Sequence, residues 1–123
     1  MNIVLWVLQA LLAAAFLAHG LLLLFPPADL IEAMNETMSP PFRLFLGVAE
    51  VLAAVGLTLP GLTRVQPWLV AAAAAGVMIV MISATVLHIT RGETSSAIIT
   101  AGLLAMATFV AYMRWRVLPI ARR

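Results

Sequence analysis

The chain has 123 residues, of which 64% are hydrophobic and 10% charged, and its mean hydropathy is +1.11. Soluble domains are about a quarter charged, and seven arginines with five acids cannot cover a water-facing surface of this size. A soluble globular enzyme and a disordered chain are both excluded, and lipid is the main solvent.

The remaining composition narrows the chemistry. There is no cysteine, so disulfides, thiolate nucleophiles and cysteine-based metal or iron–sulfur sites are ruled out. The net charge of +2 contains no lysine, and Arg114, Arg116, Arg122 and Arg123 crowd the end of the chain. The basic character therefore belongs to a tail and gives no nucleic-acid surface.

The first apolar segment runs from about Ile3 to Phe25 without a charge. It lacks a basic leader and is long for a signal peptide, so it reads as a mature helix. Pro26-Pro27 ends it. Residues 28–39 follow, with Leu30, Ile31, Met34 and Met38 at helical spacing and Asp29, Glu32 and Glu36 between them. This predicts a short amphipathic helix at the membrane surface. Asn35-Glu36-Thr37 matches a glycosylation acceptor, a three-residue pattern taken as chance. After Pro40-Pro41 the second segment runs from about Phe42 to Leu59, contains Glu50, and is closed by Pro60-Gly61. The third runs from about Pro67 to Thr90, with Pro67 suited to a first helical position. Arg91-Gly92-Glu93 separates it from the fourth, about Ser95 to Met113. Each is long enough to span roughly 30 Å of hydrocarbon as a helix, and none alternates as a barrel strand does. The predicted fold is all-α: residues 1–123 form one integral-membrane four-helix bundle with a surface helix after the first span.

Four spans place both termini and the second loop on one side, with Arg64, Arg114, Arg116, Arg122 and Arg123. The other side has only Arg43 and Arg91, along with Asp29, Glu32, Glu36 and Glu93. The excess of arginine predicts that both termini are cytoplasmic, and Trp6, Trp68 and Trp115 form an aromatic belt at that level.

Few residues inside the spans can do chemistry. Glu50 is the one charge deep in a segment, at a cost of about 2.5–3.5 kcal/mol if left alone, so it should face the bundle interior. Arg43, Gly47, Glu50 and Ala54 recur at i, i+4, i+7 and i+11 and share one helix face. The small residues, Gly47 and Ala54, let another helix approach. At about 1.5 Å per residue, Glu50 lies roughly 12 Å and His19 roughly 9 Å below the outer ends of their helices. His88 is shallower, at about 3–4 Å. Thr85 lies one turn below His88, and Ser96 and Thr100 open the fourth helix on the same side. The other half has little to match this, Gln9 and Thr58 apart.

This outer-half cluster has three readings: a hydrogen-bond network that fixes packing, a pocket for a small ligand, quinone or proton, and a metal site. The last would use His19, Glu50 and His88, but the depth of His88 and the absence of His-x-x-His spacing disfavour it, so no metal is expected. Met78 and Met81 read as packing rather than copper ligands. The Ala71–Gly76 run allows close helix contact within the bundle or in a homo-oligomer. Arg114, Arg116, Arg122 and Arg123 read as a topology anchor against anionic headgroups. No nucleophilic triad, P-loop or dinucleotide fingerprint is present, so catalytic residues stay unassigned.

The stretch RLFLGVAEVLAAVGLTLP, from Arg43 to Pro60, resembles the DoxX-like membrane proteins. Those have Arg, Gly and Glu at this spacing, then Gly-Leu and a Pro at the helix end. The layout is similar too, with four spans, the longest loop after the first helix, and a basic C-terminus. The resemblance implies a multi-pass protein of the bacterial cytoplasmic (inner) membrane, with Arg43, Gly47 and Glu50 as motif residues. It also implies a link to redox work, as a membrane or periplasmic partner in thiosulfate or quinone oxidoreduction. Any thiol chemistry would belong to a partner or substrate. The leading expectation is a pocket centred on Glu50 that binds a quinone-like molecule. The alternatives are a small proton-coupled exporter using Glu50, and a structural or assembly subunit without a ligand.

Overall fold

The computed structural model describes residues 1–122; the predicted anchor residue Arg123 lies outside them. Five α-helices follow in order: α1 Asn2–Leu24, α2 Ile31–Thr37, α3 Pro40–Thr63, α4 Trp68–Thr90 and α5 Thr94–Tyr112. The chain leaves α5 through one π-turn, Met113–Val117. Helices α1, α3, α4 and α5 with its π-turn are each long and apolar enough to cross a membrane. The short helix predicted between the first two spans forms as α2, which buries none of its residues.

The boundaries follow local chemistry. At the start of α3, Ser39 stands at the N-cap and its Oγ accepts from Phe42 N–H at 3.4 Å, while Pro40 fills a position that needs no N–H donor. The far end differs from expectation. The sequence places the end of the second span at Leu59, before Pro60-Gly61, yet α3 runs through Pro60 to Thr63 and stops at Arg64, whose φ is 58°. Proline removes one helical hydrogen bond, a loss that membrane helices tolerate when neighbours pack around it. Here Gly61 provides that packing. A Cβ there would lie 2.7 Å from Ile120 Cδ1 and 2.8 Å from Trp6 Cη2, so the bare backbone lets both side chains close over the helix end.

Two close pairs, α1 with α3 and α4 with α5, are joined mainly by α3 against α4, and α1 touches α5 only lightly. On α1 the inward stripe is Leu5, Gln9, Leu12, Phe16, Gly20 and Leu23. On α3 it is Arg43, Gly47, Glu50, Ala54, Leu57 and Gly61. Leu5, Leu12, Phe16, Leu57, Val77 and Val110 meet in the core with Ala54, Ala74 and Ala107. The large exposed apolar side chains, such as Ile3, Phe45, Leu52, Ile79 and Ile98, suit a molecule whose outer solvent is lipid.

Candidate functional site

The site begins with two glycines. A Cβ on Gly20 would lie 3.0 Å from the Gly47 carbonyl oxygen, and one on Gly47 would lie 3.1 Å from the Gly20 carbonyl oxygen. Helices α1 and α3 therefore cross backbone to backbone at this level. His19 immediately precedes one glycine and Glu50 follows the other by three residues, so the crossing brings them together. With the proton on Nδ1, His19 donates to Glu50 Oε1 at 2.8 Å and faces Oε2 at 3.1 Å. The carboxylate is only 4% exposed while the imidazole is 55% exposed. One member of the pair is thus sealed in the bundle, and the other reaches its edge. An ionisable group at such a depth needs a partner, and the imidazole supplies it.

Beside the pair lies a cavity of about 410 Å³, walled by all four long helices. Its lining includes the polar side chains of His19, Glu50, His88, Ser96 and Thr100 and the apolar ones of Phe16 and Met81. Thr85 stands behind Thr100 and donates to its hydroxyl at 2.8 Å, and Thr100 in turn donates to the Ala97 carbonyl at 3.1 Å. This relay fixes α4 against α5 at the cavity wall. Hydrogen bonds between membrane helices are worth about 0.6 kcal/mol on average. Thr85→Val should cost about that much in thermal unfolding in detergent, without disturbing the His19–Glu50 pair.

Arg43 and His88 take partners other than Glu50. The sequence puts Arg43 on the face of Glu50, and both are buried there, but the guanidinium does not meet the carboxylate. Its Nη1 donates to the Leu23 carbonyl. The cause lies in α1. The last carbonyls of a helix have no intrahelical donor, and four residues beyond Leu23 stands Pro27, which has no N–H to offer. Arg43 replaces that donor and ties the two helix ends together. His88, at the end of α4, pairs with Glu93 through Nδ1 at 3.1 Å. It lines the cavity while standing apart from the His19–Glu50 contact. Ala54 is a core residue.

A second polar cluster, in the opposite half, departs from the sequence reading. Arg114, which the sequence predicts as an anchor against headgroups, is only 5% exposed. The π-turn carries it inward. Its Nε donates to Gln9 Oε1 at 2.7 Å, and its Nη1 donates to Asn2 Oδ1 at 2.8 Å and to the Leu118 carbonyl at 3.0 Å. The Trp6 ring lies 5.5 Å from the guanidinium carbon, within cation–π range. Gln9, fully buried, also donates through Nε2 to the Leu57 carbonyl at 2.8 Å. One readable signal pointed here: Asn2 and Gln9 are seven residues apart on an otherwise apolar helix, on one face.

Among the described residues, no group of three metal-ligating side chains comes together. Neither a curated protein nor a solved structure matches the chain. A family model does match, over residues 7–110, a stretch that includes His19, Arg43, Gly47, Glu50 and the whole cavity wall. With four apolar helices and that match, the chain is a membrane protein that belongs to the DoxX-like family.

Proposed function

We propose that the cavity beside Glu50 binds a small quinone-like molecule and that the protein serves as the membrane partner of a redox system in the bacterial cytoplasmic membrane. The observation that carries this reading is a buried carboxylate paired with an edge-exposed histidine at the wall of a cavity of about 410 Å³. That volume falls in the range of small-molecule sites. The lining suits a ring with polar oxygens and an apolar body: His19, Glu50, His88, Ser96 and Thr100 supply polar groups, and Phe16, Val80, Met81 and Leu103 form much of the rest.

A quinone, when bound, supplies two-electron, two-proton chemistry. The chain's own residues provide the proton side. His19 spends Nδ1 on Glu50, which leaves Nε2 to face a ligand oxygen and to hold or release a proton there. Glu50 keeps the imidazole oriented and balances its charge. The Ser96 and Thr100 hydroxyls offer further hydrogen bonds, and the apolar wall excludes water. Electrons come from a partner protein. The test is titration of a short-chain ubiquinone analogue into purified protein, read by tryptophan fluorescence. Glu50→Gln and His19→Ala should each weaken binding by about tenfold, the worth of one hydrogen bond to a charged group. Binding of wild-type strength by both variants would contradict the reading.

One observation favours a second reading, proton-coupled export. Glu50 also lines a cavity of about 510 Å³ that extends along α3 and α4 toward Pro60 and Leu69. A carboxylate facing both halves of the bundle is placed to exchange a proton for a cationic substrate. Loss of pH-gradient-driven efflux from vesicles in Glu50→Gln, with quinone binding unchanged, would support export instead.

A further inference from the structure

The end of the bundle that holds both termini carries arginines that no acidic side chain among the described residues balances. The chain has five acidic side chains, at positions 29, 32, 36, 50 and 93. Four belong to the opposite loops, and Glu50 is engaged by His19. At the terminal face, Arg114 is buried, and every partner it has among the described residues is neutral: Gln9, Asn2 and the Leu118 carbonyl. Its Nη2 has no partner among the described residues. A buried guanidinium without a counter-charge carries a large desolvation penalty, so this face calls for an anion.

The same face has a place to put one. A cavity of about 300 Å³ is lined by Gln66, Trp68, Arg114, Trp115, Pro119 and Arg122, among others. It has a built wall. Leu118 N–H bonds the Met113 carbonyl at 2.6 Å, and Arg64 Nε donates to the Ala121 carbonyl at 2.9 Å, so the last residues fold back over the helix ends. Trp68 Nε1 donates to Gln66 Oε1 at 3.0 Å and holds the rim. Two arginines, one buried and one exposed, thus face a single hollow framed by two indoles. Indole rings settle at headgroup depth, arginine forks match phosphate oxygens, and basic pockets between membrane helices take anionic headgroups. We infer that this cavity binds the phosphate of an anionic phospholipid from the leaflet at the terminal face, which supplies a counter-charge to Arg114 and Arg122.

Thermal unfolding of the purified full chain in neutral detergent tests this, with phosphatidylglycerol, phosphatidylcholine and sodium phosphate as added probes. Phosphatidylglycerol should raise the midpoint in a saturable way, and phosphatidylcholine should not. Arg122→Gln changes an exposed residue near the chain end, so folding is not at risk. It should weaken phosphatidylglycerol about fivefold, the worth of one arginine at a membrane surface. Arg91→Gln removes the same charge from the opposite face and should leave the binding curve unchanged. Equal stabilisation by phosphatidylcholine, wild-type binding by Arg122→Gln, or an equal loss in Arg91→Gln would overturn the assignment. An equal shift with sodium phosphate would overturn its lipid part.

Discussion

Replacing Gly47 by leucine should separate α1 from α3 and lower stability by about 1–3 kcal/mol or more, the usual cost of overpacking a filled interior. The neighbours explain why the effect should be large. A Cβ at this position would lie 2.9 Å from Leu24 Cγ and 3.1 Å from the Gly20 carbonyl oxygen. The leucine side chain can rotate, but the carbonyl belongs to the helix backbone and moves only if α1 moves. Displacing α1 carries His19 away from Glu50, because their contact depends on the same crossing. The variant should therefore lose both thermal stability and ligand binding. Gly76→Leu is the matched control. Nothing lies within 4 Å of a Cβ built there, so the same change should cost little thermal stability.

Gln9→Leu should be the second large effect, at about 1–3 kcal/mol, toward the upper end because the group left without its partner is charged. Gln9 serves two contacts at once, donating to the Leu57 carbonyl and accepting from Arg114 Nε. Leucine fills the space but satisfies neither. Gln9→Glu keeps the acceptor and gives Arg114 a counter-charge, so it should lose less than the leucine variant. Thermal midpoints of the three proteins in one detergent measure the order, wild type and Gln9→Glu above Gln9→Leu.

What the sequence made legible follows from the range of each signal. The four spans are set by long apolar runs and by proline and arginine breaks, which act locally and read directly. The His19–Glu50 pair is legible because depth along a straight helix is simple arithmetic, and the two residues fall at similar levels. Arg43 shares the buried face of Glu50, as its spacing predicts, but register gives the face of a side chain and not its partner. Its partner is a carbonyl that Pro27 leaves without a donor, and backbone acceptors do not show in a list of polar residues. Pro60 misled because its helix-breaking tendency is a property of the isolated segment, whereas Trp6 and Ile120 closing over Gly61 is a tertiary effect. Arg114 misled for a similar reason. A terminal arginine normally faces headgroups, and only the π-turn rotates this one onto Gln9.

The direct test of the account is the imidazole nitrogen signal of His19 by 15N NMR in lipid nanodiscs. The chain has two histidines, so a His88→Gln variant assigns both signals. The His19 Nδ1 resonance should shift clearly in Glu50→Gln, while the His88 resonances stay in place because their partner is Glu93. A His19 signal indifferent to Glu50→Gln would mean that the two side chains do not meet in the membrane, and the proposed site would have no foundation.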